Sequence, residues 1–173
     1  MNIFLPYESN ITASIQSLDN IRLVKQIQEV KVLLDGAMAY QRGDVPNNYF
    51  KHPVAQAFKN DPEFLSYYGF ECCKEYWFRY NKYHQYYDLF QYLCEDYYKI
   101  TEQPDYTPYY MEGSKGQPNY IRTTENVSAL FQAKLCKKWN ADKSKGREPR
   151  WTNRDVPQFY KTELTHQHED KAD

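Results

Sequence analysis

The chain has 173 residues, 41% of them hydrophobic and 17% aromatic, with a formal net charge of −1. This is enough length and apolar area for one buried core without disulfide staples, and no stretch approaches the roughly 20 apolar residues of a membrane span. Met1-Asn2-Ile3-Phe4-Leu5-Pro6 lacks the basic start and long apolar run of a secretory signal. The four cysteines, Cys72, Cys73, Cys94 and Cys136, form no Cys-x-x-Cys pair, which argues against a zinc site or a disulfide framework and suits a reducing, cytoplasmic setting.

The predicted fold is all-α: a single compact helical bundle over residues 1–162 with long ordered loops, followed by a charged, disordered tail over 163–173. Residues 1–13 read as an extended arm. Ser17 reads as the N-cap of a long helix to about Tyr40, with Asp19 in its first turn. On that helix Leu23, Ile27, Val30 and Leu34 share one stripe, and Arg22, Lys25, Gln26 and Glu29 fall on a nearly opposite one. A loop over 43–53 leads to a short helix from Val54 to Lys59. Asp61-Pro62-Glu63 is a helix start, and the helix from Glu63 to Tyr80 is apolar almost all round, as expected of the centre of a bundle. A further helix spans about Gln85 to Ile100, with Tyr86, Phe90, Leu93 and Tyr97 on one side. Residues 102–121 read as a long ordered loop. Thr124-Glu125 opens a last helix through Val127, Leu130, Phe131 and Leu135. Lys134 and Lys138 fall on that same apolar side, so either the helix stops near Cys136 or the lysines snorkel. Eighteen tyrosines predict a core rich in hydrogen bonds.

Charge is unevenly spread. By formal count it swings from about −5 over residues 84–113 to about +7 over 114–154. The basic stretch, with Lys137, Lys138, Arg147 and Arg150, reads either as a solvated loop or as a phosphate-binding patch.

Most catalytic signatures are missing: there is no P-loop, no Gly-x-Gly-x-x-Gly and no Gly-x-Ser-x-Gly elbow. His52 and His84 have no ligand partners at helical spacing, and His166-x-His168 lies in the charged tail, so no metal site is expected. What remains is the first long helix, where Arg22, Lys25 and Glu29 project the same way. By periodicity alone this is most simply a solvated face with ion pairs. Its functional reading is a carboxylate flanked by phosphate-holding cations.

Leu18-Asp19-Asn20-Ile21-Arg22-Leu23-Val24-Lys25-Gln26, followed by Glu29, resembles the first helix of the pyrimidine-dimer DNA glycosylase family. Met1-Asn2-Ile3-Phe4-Leu5-Pro6-Tyr7 is similar to the Met-x-x-Phe-x-Pro-Tyr opening of one bacterial and phage branch. Lys51-His52-Pro53, Tyr68-Gly69 and Cys73-Lys74-Glu75-Tyr76 resemble further motifs of that branch, so the likeness covers roughly residues 1–80. Arg122-Thr123-Thr124-Glu125-Asn126 departs from its Ser-His-Arg-like element.

In the characterised members the α-amine of the first mature residue attacks the sugar C1′ of a damaged nucleotide, assisted by a helix glutamate. The resemblance therefore implies Glu29 as that glutamate and the amine of Met1 or of Asn2 as the nucleophile. The characterised enzymes expose a small residue after Met removal, whereas Asn2 is bulky, which favours retention of Met1. The resemblance implies double-stranded, damaged or modified DNA as partner, with Arg22, Lys25, Gln26 and His52 among its contacts; the basic patch of Lys137, Lys138, Arg147 and Arg150, read from charge alone, would extend that surface. It implies no cofactor. Two other readings remain open at this point: a non-catalytic DNA-binding accessory protein on the same scaffold, and a helical interaction module using the acidic 84–113 segment.

Overall fold

The computed structural model describes residues 2–106, 110–112, 120–122 and 126–172. Among them are seven α-helices, and the fold is all-α as the sequence predicts. Helix α1 is Ile11–Gln16, α2 Asn20–Arg42, α3 Pro53–Phe58, α4 Pro62–Tyr80, α5 Tyr87–Gln91, α6 Val127–Ser144 and α7 Gln158–Ala172. A three-residue antiparallel ribbon pairs β1 (Tyr110–Glu112) with β2 (Tyr120–Arg122), with Met111 opposite Ile121, where residues 102–121 are expected as a loop; β2 ends one residue beyond it.

The long helix α2 forms where the apolar spacing says it should. Leu23, Ile27, Val30 and Leu34 are all fully buried. Its start differs from the sequence reading. Ser17 ends α1 rather than opening α2, because Asn10 caps a separate short helix by accepting from Ala13 N at 2.9 Å. The extended arm is thus confined to the first few residues. Asp19 is the N-cap of α2, yet its carboxylate makes no cap bond to the helix backbone. It is buried and accepts from Trp139 Nε1 of α6 at 2.8 Å and from the Arg22 guanidinium at 3.2 Å. At the other end Gly43, at φ 76°, takes the left-handed turn that stops the helix.

Helix α4 is central over its first half: Phe64, Leu65, Tyr68, Cys72 and Cys73 are buried among α1, α2 and α5. Gly69 is required there, because a Cβ would meet the Phe90 ring of α5 at 2.2 Å. The all-round burial expected of α4 fails toward its end, where Trp77 is 42% and Phe78 44% exposed. The Arg154 guanidinium covers one face of the Phe78 ring, 3.8 Å from its centroid. Buried charge also ties this end of α4 to the rest. Glu75 receives a bidentate contact from Arg154 (2.9 and 2.8 Å) and the Arg79 Nε at 3.0 Å. Arg79 then reaches Asn20 Oδ1 and Gln16 O, each at 3.1 Å. Leaving one member of such a network unpaired costs several kcal/mol.

Two other expectations are corrected, and one open alternative, the end of the last apolar helix, is decided. The helix predicted over Gln85–Ile100 is broken into α5 and a π-type turn over Tyr92–Tyr97, and Tyr97 is exposed. The last apolar helix does not stop near Cys136 but runs to Ser144, with Lys134 and Lys138 half-buried; Thr124 and Glu125 lie outside the described residues. The tail expected as disordered is the helix α7. Its first turn is anchored on aromatic contacts, Trp139 meeting Phe159 at 5.7 Å and Tyr160 at 4.9 Å between ring centroids. The Tyr160 hydroxyl adds a bond to Asn140 Oδ1 at 3.0 Å.

The Tyr68 hydroxyl offers a direct check on this packing. It lies 2.8 Å from Phe4 O and 3.2 Å from Gln26 Oε1, so it joins α4 to the arm and to α2. Tyr68→Phe is expected to destabilise the fold by about 1–3 kcal/mol, because it leaves a buried acceptor short of its donor. A denaturant titration measures this, and an unchanged midpoint would mean that the hydroxyl is not part of the lock.

Candidate active site and DNA-binding surface

The site is built where the arm crosses α2. Ile3, Phe4 and Leu5 are buried, so the arm is part of the core. Its backbone is fixed by one side chain: Gln26 accepts from Phe4 N at 3.1 Å and donates Nε2 to Asn2 O at 2.7 Å. Helix α6 holds the following residues, Gln132 Nε2 donating to Pro6 O at 2.8 Å and Ser128 Oγ accepting from Glu8 N at 2.9 Å. One result is a contact at the start of the chain, where Asn2 N donates to Glu29 Oε2 at 3.4 Å. Met1 lies outside the described residues.

Around that contact is a cavity of about 110 Å³, lined by Asn2, Phe4, Ile21, Arg22, Lys25, Gln26, Glu29 and Lys138. It therefore joins residues from the arm, α2 and α6. A wider surface depression of about 690 Å³, between Tyr7, Gln16 and Arg154, contains none of the candidate catalytic or DNA-contacting residues.

The cations at the cavity are not equivalent. Arg22 donates to Asp142 Oδ2 at 2.5 Å and to Asp19 Oδ2 at 3.2 Å, with its side chain only 14% exposed. Burial alone would lower its pKa, but the bond to Asp142 and the charges of both aspartates raise it. Asp142 is correspondingly held below the usual carboxylate range, first by the bond from Arg22. Arg22 is thus a permanently charged cation already engaged by two acids. Lys25 is exposed and has no ion-pair partner among the described residues. Lys138 is half-buried; burial, then the charges of Arg22 and Lys25, push its pKa down, while Glu29 and Asp142 oppose them.

Two residues read as DNA contacts take other positions. Gln26 is 1% exposed and its amide is committed to the arm, so its place is inside rather than on the DNA-facing side. At 100° per residue it falls about 70° from the centre of the apolar stripe, at its edge, where a polar side chain goes in only with partners. His52 caps α3, its Nδ1 accepting from Val54 N at 3.2 Å, and burial lowers its pKa. Its proton therefore sits on Nε2. His52 does not line the cavity.

Two members of the basic patch, Arg147 and Arg150, are tied to this region through Asp142 and Asn20. Lys137 is exposed on α6, one residue from the cavity wall. Arg147 is 59% exposed and 3.4 Å from Asp142, the acid that holds Arg22. Arg150 is exposed, and its backbone oxygen accepts from Asn20 N at 2.8 Å at the head of α2. Sequence reasoning missed Tyr68, Ile21 and Asp19 as parts of this region. The pairings of Asp19 with Trp139 and of Tyr68 with the arm span long stretches of chain and leave no local signal. Among the described residues, no group of His, Cys, Asp and Glu could hold a metal ion, and no helix is long and apolar enough to cross a membrane.

An all-α scaffold that brings a carboxylate, the backbone of Asn2 and several cations to one small cavity suits chemistry on a polyanion. The chain belongs to the pyrimidine dimer DNA glycosylase family, whose family model matches residues 1–88. Membership gives it a DNA glycosylase-like role with DNA as substrate. No curated protein and no solved structure is matched. The matched segment contains the arm, Arg22, Lys25 and Glu29 but ends before α6, so Lys138 and the patch lie beyond it.

The exposed cations make a measurable prediction. Replacing Lys25, Lys137, Arg147 and Arg150 together by Ala should weaken binding to undamaged duplex. For every phosphate that these side chains neutralise, the substitution should flatten the log–log salt dependence by roughly 0.9. An affinity and a salt slope equal to those of the native chain would leave these residues as ordinary solvated charges.

Proposed function

We propose that the protein is a DNA N-glycosylase, with associated abasic-site lyase activity, acting on damaged or modified pyrimidines, and that its nucleophile is the chain's own α-amine. The observation that carries this reading is the 3.4 Å contact between Asn2 N and Glu29 Oε2 in a cavity lined by cations. If Met1 is removed, Asn2 N is itself the α-amine. If Met1 stays, its amine is one residue further along the same anchored arm. An α-amine has a pKa of about 7.7–8.0, so a useful fraction is neutral near pH 7.

The steps balance without a cofactor. The amine lone pair forms the bond to C1′ as the C1′–N bond to the base breaks, and the base leaves with the electron pair and takes up a proton. The nitrogen gives up one proton and the ring oxygen takes one up as the C1′–O4′ bond breaks, leaving a C1′ iminium that keeps one N–H. Loss of a C2′ proton then expels the 3′ phosphate by β-elimination. Glu29 stabilises positive charge on the sugar and accepts protons beside the amine. Lys25 and the patch hold the phosphate backbone, and Gln26 acts at one remove by placing the arm. The target must leave the helical stack to reach a recessed cavity, an opening that is easiest at a damaged base.

Glu29→Gln separates this reading from a non-catalytic DNA-binding scaffold. The change is nearly isosteric and lies off the core stripe, so folding and duplex affinity should be kept. Base release from a lesion-bearing duplex should fall by about 10²–10³. Full activity of the Gln variant on a duplex that the native chain cleaves would refute the role given to Glu29. No base release by the native chain across a panel of pyrimidine lesions would favour the binding scaffold.

A further inference from the structure

We propose that Lys138 is a second nucleophilic amine of this cavity, able to form a Schiff base with the ring-opened sugar of an abasic site. The inference rests on the reading that the cavity carries amine chemistry. It adds a residue from α6, beyond the segment that places the chain in its family.

Three observations converge on Lys138. It lines the same cavity as Glu29 and Asn2, so a sugar that reaches one amine is in the neighbourhood of the other. Its side chain is half-buried and has no ion-pair or hydrogen-bond partner among the described residues, unlike Arg22, which two aspartates hold. Its pKa is also lowered, since burial and the neighbouring charges of Arg22 and Lys25 outweigh Glu29 and Asp142. A lysine partly desolvated beside other cations is a recognised form of activated nucleophile. A lysine used only for phosphate would gain from full exposure, as Lys25 has.

The reaction takes an aldehyde, the open form of an abasic deoxyribose. The Lys138 Nζ lone pair adds to C1′, the carbinolamine loses water, and an iminium results. Removal of a C2′ proton, for which Glu29 is the base lining the cavity, breaks the C3′–O bond and expels the phosphate. Hydrolysis then frees the lysine, so no external oxidant or reductant is needed.

The test is borohydride trapping on a duplex with one abasic site, followed by digestion and mass mapping of the adduct. It uses the native chain, an N-terminally acetylated chain, and both forms carrying Lys138→Arg. Arg keeps the positive charge for phosphate but supplies no usable nucleophile. The acetylated chain should still be trapped, with the adduct on the peptide containing Lys138, and Lys138→Arg in that background should reduce trapping to background. If the acetylated chain traps nothing while the native adduct maps only to the amino-terminal peptide, Lys138 is not a nucleophile and the α-amine mechanism stands. If no form is trapped, the amine chemistry itself fails, and this inference with it. Circular dichroism of each variant, together with duplex affinity, shows whether a loss of trapping reflects a loss of folding.

Discussion

The buried amide of Gln26 sits between two parts of the chain that must be held together. It accepts from Phe4 N, donates to Asn2 O and lies within hydrogen-bond reach of the Tyr68 hydroxyl, all out of water. Each partner left alone there would carry a desolvation cost of about 1–3 kcal/mol, so the arrangement is close to all-or-none. Apolar burial of Ile3, Phe4 and Leu5 supplies the attraction for the arm, but it does not set the register. The Gln26 bonds do, and that register brings Asn2 N to the Glu29 carboxylate. An N-terminus is ordinarily among the least ordered parts of a domain. Here the arm is built into the core from Asn2 onward.

Electrostatics divides the cations around that point into separate tasks. Arg22, clamped by Asp19 and Asp142, is a fixed charge that links α2 to α6. Asp19 extends the link to the Trp139 cluster, and through it to α7. Lys25, Lys137 and Arg150 remain in water, where screening is strong and a polyanion is the natural counter-charge. Lys138 stands between these groups, half out of water and inside the cavity. The sequence places all of these as interchangeable positive charges. Burial and the positions of three carboxylates distinguish them.

Local physics is readable along the chain wherever a period or a cap decides the outcome. The stripe of Leu23, Ile27, Val30 and Leu34, the proline-led start of α4 and the glycine stop after Arg42 all follow from spacing and backbone preference. The proximity of Glu29 to the start of the chain comes only from the family resemblance, since nothing in periodicity folds an arm back onto a helix. Gln26 is misplaced by the sequence because a helical projection treats a residue at the stripe's edge as polar surface, while its partners lie on other segments. The tail misleads in the opposite way. Its charge density reads as disorder, but Phe159 and Tyr160 dock on Trp139 and set the direction of the helix that follows. The end of α4 is apolar yet partly exposed, because the cover it receives is a guanidinium from Arg154 rather than another helix.

The claim at the centre of this account is that the arm's register on Gln26, rather than the presence of an amine alone, makes the cavity reactive. Gln26→Met keeps the length of the side chain and removes its amide, so the most direct measurement is base release by this variant from a duplex carrying one thymine dimer. Circular dichroism and duplex affinity are followed on the same samples. The expected result is a helical protein that still binds duplex but releases the base far more slowly than the native chain. A folded Gln26→Met protein that works at the native rate would contradict it, because the Asn2–Glu29 contact would then owe nothing to the bonds described for it.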